Sequence, residues 1–62
     1  MIDKDLLEKA YSLKHLLSEK QLVDFEALYS IFKLGACTPR EISELWVYQE
    51  LIFYARLKNH KS

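Results

Sequence analysis

The only glycine and the only proline of this chain stand four residues apart, at Gly35 and Pro39. No other residue interrupts regular structure so strongly, so the sequence on both sides is free to be helical. Around the proline, Thr38-Pro39-Arg40-Glu41 has the spacing of a capping box. Thr38 can accept from the Glu41 amide, Glu41 can reach back to the Thr38 amide, and Pro39 suits a first helical position, where an amide proton would have no partner. Gly35 can take the left-handed conformation that ends the preceding helix. A second box, Ser18-Glu19-Lys20-Gln21, marks a softer break, and Asp3 can cap the start. The expected fold is therefore all-α, a small bundle of three helices near residues 4–17, 19–34 and 39–58. Residues 1–62 form a single helical domain, with 59–62 as a short basic tail.

Placed at about 100° per residue, the three segments differ in their apolar patterns. In the first, Leu6, Ala10, Leu13 and Leu17 cluster, with Leu7 beside them and Glu8, Ser12 and His15 opposite. This is the pattern of a surface helix with one buried stripe. In the second, Leu22, Phe25, Leu28, Tyr29 and Phe32 form the main stripe, while Val23, Ala27, Ile31 and Leu34 put apolar groups on other sides. We expect it to be the most buried helix.

The third segment changes face. Ile42, Leu45 and Trp46 point one way, whereas Tyr48, Leu51, Ile52 and Ala55 centre on nearly the opposite side, flanked by Val47 and Tyr54. Either the helix breaks near Trp46 so that both halves fold onto one core, or it runs straight and shows apolar surface on two sides. No capping residue stands at Trp46-Val47-Tyr48, which favours the continuous form. A continuous helix would leave an apolar patch uncovered, the usual mark of an interaction surface. Trp and Tyr anchor such surfaces because they join large area to a polar handle. Trp46, Val47, Tyr48, Leu51, Tyr54 and Ala55 are thus the candidate partner-binding residues.

Chemistry is harder to place. Sixty-two residues bury too little surface to be more than marginally stable without help, and no staple is visible. The single cysteine cannot form an internal disulfide, and Cys37 with His15 and His60 lacks the ligand count and spacing of a zinc site. Cys37 near a helix start could be a nucleophile, but no base stands near it in sequence and no Gly-rich oxyanion loop exists. Glu41 serves a cap, and Glu44 and Glu50 suit solvent or an ion pair. No catalytic residue, metal or cofactor is expected. Arg56, Lys58, His60 and Lys61 suit the end of a helix, where cations oppose the macrodipole. Nine basic and nine acidic residues give no electrostatic footprint for nucleic acid. The opening Met-Ile-Asp-Lys-Asp lacks the basic flank and apolar core of a secretory signal, and no apolar run approaches the roughly 20 residues that cross a bilayer. The expected location is the cytoplasm.

Residues 38–45 also suit the first helix of a helix-turn-helix, but Trp46-Val47-Tyr48-Gln49-Glu50-Leu51 has neither the glycine turn nor the basic start of a recognition helix. A DNA-binding regulator using residues 39–58 is the alternative reading. From Gly35 to Lys58, Gly35, Thr38, Pro39, Glu41, Ile42, Leu45, Glu50 and Leu51 follow an order that resembles the small tail assembly chaperones of tailed bacteriophages. The resemblance implies a non-enzymatic role, coating helical segments of another protein during assembly. The expected function is a protein–protein interaction module, an adaptor, assembly chaperone or inhibitor, whose partner is another protein or a second copy of itself.

Overall fold

The computed structural model describes residues 3–60, with side chains through Asn59. It is all-α: α1 spans Lys4–Ser12, α2 Glu19–Lys33 and α3 Pro39–His60, with one 3₁₀ turn, Lys14–Leu16, between α1 and α2. Every expected cap is formed. The Asp3 carboxylate accepts from the amides of Asp5 and Leu6 at 2.9 and 3.4 Å. At Ser18 the box is reciprocal, Gln21 N donating to Oγ at 3.3 Å and Ser18 N donating to the Gln21 side chain at 3.1 Å. The box before α3 matches it, with Thr38 N on Glu41 Oε1 at 2.8 Å and Glu41 N on Thr38 Oγ1 at 3.2 Å. Gly35 has φ 73°, the Gly35 amide donates to Phe32 O at 2.9 Å and the Ala36 amide to Ile31 O at 3.1 Å. Those two bonds are a Schellman motif, which satisfies carbonyls that the end of α2 would otherwise leave open.

The first helix is shorter than its predicted extent of 4–17. Ser12 Oγ donates to Lys9 O at 2.6 Å, taking the carbonyl that the Leu13 amide would use in a continuing α-helix. The Leu13 amide turns to Ala10 O instead, and the next two bonds, from Leu16 to Leu13 and from Leu17 to Lys14, keep the tighter spacing. Leu17 then leaves in extended conformation and is buried, directly before the Ser18 cap. Leu17 and Leu22 occupy the two positions of a hydrophobic staple, which fixes how the chain enters α2.

Leu7, Ala10, Leu17, Phe25, Leu28, Leu45 and Ile52 form the core. The stripe of α1 is centred on Leu7 and Ala10, so Leu6, placed on that stripe by periodicity, is instead 45% exposed. As expected, α2 has the smallest share of exposed positions of the three helices, although Val23 and Ala27, and Leu34 just past its end, face solvent. The hub is α3, which packs against both α1 and α2 and also touches the 3₁₀ turn. Long side chains of α1 and of the 3₁₀ turn reach across to α2. Tyr11 stacks on Tyr29 with ring centres 4.0 Å apart, and Lys14 meets Glu26 at 2.6 Å. Lys14 also donates to the Tyr11 hydroxyl at 3.0 Å, and both partners hold its ammonium above the usual lysine pKa, Glu26 more strongly.

The 22 residues of α3 form one helix with no break at Trp46. It runs two residues past the expected end at Lys58, into the segment read as a tail; Lys61 and Ser62 lie outside the described residues. The accessible surface is 4695 Å², about a tenth more than the roughly 4200 Å² typical of a compact monomer of this mass.

Candidate functional site

A continuous α3 has one stripe for the core and the rest for other uses. Leu45, Gln49 and Ile52 fall on the inward stripe, at 0%, 3% and 0% exposure. Around them, Ile42, Tyr48, Phe53 and Ala55 are half-buried. Trp46, Val47, Leu51, Tyr54 and Leu57 remain 39–70% exposed. They divide into two strips by helical angle. Val47, Leu51 and Tyr54, at i, i+4 and i+7, run along one outer line, while Trp46 and Leu57 flank the helix on the other side.

The six residues singled out from sequence therefore part ways. Trp46, Val47, Leu51 and Tyr54 are exposed. Ala55 is half-buried. Tyr48 is half-buried and engaged with α2: its ring meets Phe25 edge-on with centres 5.9 Å apart, and its hydroxyl donates to Asp24 Oδ2 at 2.6 Å. That bond to a carboxylate favours the neutral phenol, and with burial second it pushes the Tyr48 pKa up to about 12. Tyr48 thus ties α3 to α2 and forms one wall of an open groove of about 460 Å³. Val47, Leu51 and Glu44 line it from α3, and Gln21 and Asp24 line it from α2.

Gln49 is the residue that periodicity alone did not bring forward. It stands four residues after Leu45 and three before Ile52, squarely on the core stripe, and its Oε1 has no hydrogen-bond partner in the structure. An orphaned buried carbonyl of this kind costs on the order of 1–3 kcal/mol. The clue in the sequence was position, since any residue between Leu45 and Ile52 at that spacing must face inward. Leu57, 70% exposed, was also not among the candidates.

The remaining candidates have structural occupations. Cys37 stands at the position before the Thr38 cap and is half-buried, with Sγ 3.7 Å from Leu28 O. Burial pushes its pKa up and Glu41 adds to the shift, the opposite of an activated thiolate. With Ile42 four positions past the cap, it fills the place of a hydrophobic staple. His15 is exposed on the 3₁₀ turn. Among the described residues no group of three His, Cys, Asp or Glu side chains is placed to hold a metal ion, and no helix is long and apolar enough to cross a membrane. Residues 39–58 contain no turn, so the two-helix unit of the DNA-binding alternative is not formed within them. No family model, curated protein or solved structure matches the chain.

Proposed function

We propose that the protein is a non-enzymatic interaction module, a small cytoplasmic adaptor, assembly chaperone or inhibitor, that docks through the outer faces of α3. The observation that carries this reading is the exposure of Trp46, Val47, Leu51, Tyr54 and Leu57 on a helix whose inward stripe is already filled by Leu45, Gln49 and Ile52. Isolated apolar residues on a surface need no explanation, but Val47, Leu51 and Tyr54 in line at i, i+4 and i+7 form a continuous apolar strip. Burying that strip against an apolar helix or groove gains about 25 cal/mol per Å² before the costs of association. Such docking is helix-in-groove recognition, read out by anchors at i, i+4 and i+7. An assembly chaperone of the tailed-phage kind, covering apolar helices of another protein, would need a surface of this type.

The test is site-specific photo-crosslinking in the cells that make the protein. A benzophenone amino acid replaces Val47 or Tyr54, with Ser12 as the control position on the polar face of α1. Protein adducts, to a second copy or to another protein, are expected from positions 47 and 54 and not from 12. Adducts from none of the three, or equal adducts from all three, would contradict the reading.

A further inference from the structure

The ends of the Val47–Leu51–Tyr54 strip carry opposite charges. Glu44 stands one turn before Val47 and lines the same groove as Val47 and Leu51. Lys58 stands one turn after Tyr54, with Nζ 5.6 Å from the centre of the Tyr54 ring. Leu51 is midway, seven residues from each. At 1.5 Å per residue the two charges lie about 21 Å apart along the helix axis, with apolar side chains between them.

We propose, resting on the interaction reading above, that this strip docks on the same strip of a second copy, the two α3 helices running antiparallel about a two-fold axis at Leu51. An isologous contact requires a patch complementary to itself. Antiparallel pairing centred on Leu51 supplies that complementarity: Glu44 of each copy faces Lys58 of the other, Val47 lies beside Tyr54 of the other, and the Leu51 side chains meet on the axis. The parallel arrangement sets Glu44 against Glu44 and Lys58 against Lys58. The acidic end is reinforced by Asp24, whose carboxylate lines the groove beside Glu44 while holding the Tyr48 hydroxyl. A lysine from an antiparallel copy enters an acidic groove mouth there. Trp46 and Leu57 lie on the other flank of α3 and stay outside this contact, available to a further protein.

The experiment is sedimentation equilibrium of the full chain, from low micromolar to millimolar concentration, at low and high salt. The wild type is expected to dimerise and to retain most of its dimer at high salt, because the apolar strip dominates and the rim charges are screened. Glu44→Lys and Lys58→Glu each convert two attractive rim pairs into repulsive ones and are expected to raise the dimer Kd about tenfold at low salt. An equimolar mixture of the two variants restores the wild-type Kd, since each then supplies the charge the other needs. Both substituted side chains are exposed, so the fold is preserved, which circular dichroism checks. Leu51→Lys, with two like charges on the axis, abolishes the dimer. A monomer at every concentration overturns the pairing while leaving the crosslinking test of a foreign partner standing. A dimer whose Kd ignores both charge variants overturns the antiparallel register.

Discussion

The inner and outer faces of α3 invert the usual division of residue types. The inner stripe buries a glutamine, Gln49, between Leu45 and Ile52, while the outer line exposes Val47, Leu51 and Tyr54. A helix selected only to hold a monomer together would place an apolar residue at position 49 and polar ones at 47, 51 and 54. The contrast teaches that α3 carries more apolar surface than a bundle with only α1 and α2 beside it can absorb. The surplus is arranged in lines along the helix, flanking the filled core stripe.

Substitutions can break this contrast. The largest effect is expected on the inner face, where Leu45→Ala removes a wholly buried side chain from the hub helix. A loss of about 2–5 kcal/mol follows from the lost burial and the cavity, enough to unfold most of a domain this small, as urea denaturation would show. Next is Gln49→Leu, which replaces the orphaned carbonyl by an apolar group of similar size and is expected to stabilise by about 1–3 kcal/mol. A raised melting temperature with unchanged helicity is the expected result, whereas a loss of stability would mean the amide is satisfied. Tyr48→Phe comes third, costing about 1 kcal/mol by removing the bond to Asp24 while keeping the ring against Phe25.

The same tyrosine shapes the alkaline limb of stability. Lys14, Cys37 and Tyr48 all have pKa values raised by the fold, so the folded state holds their protons more tightly than the unfolded chain. Their contribution is complete below the ordinary values and is lost as pH rises through the folded ones. Melting temperature is therefore expected to fall from the thiol's ordinary 9.0 upwards to about 12. Tyr48→Phe should flatten the upper part of that fall, from the ordinary phenol value of 10.0 upwards, and leave the part due to Lys14. An unchanged slope in the variant would show that the Asp24 bond does not form in solution.

The caps were legible in the sequence because they depend on residue type at fixed spacing. Asp3, Ser18 with Gln21, Gly35 and Thr38 with Glu41 each do locally what their chemistry allows, and the helix starts follow from them. The end of α1 was not legible, because the Ser12 hydroxyl competes for a backbone carbonyl without changing the apolar pattern that continues to Leu17. Periodicity also misplaced Leu6, since a nine-residue helix fixes the centre of its stripe only within one position. The change of face in the third segment was visible, and so was the choice it posed. Which residue types would be left outside required knowing that α3 is packed from two sides. That geometry packs Tyr48 against the core, half-covers Ala55 and leaves Trp46, Val47, Leu51 and Tyr54 outside.

Neighbouring residues allow the most direct test, because Leu51 and Ile52 are adjacent aliphatic residues that differ chiefly in the face they occupy. Urea denaturation of Leu51→Ser and Ile52→Ser, each at a concentration where the wild type is monomeric, measures that difference alone. The account predicts that Ile52→Ser loses more than about 3 kcal/mol, while Leu51→Ser, at a position already partly exposed, loses about 1–1.5 kcal/mol. Equal losses at the two positions would place Leu51 in the core and contradict the claim that α3 has an unoccupied outer face.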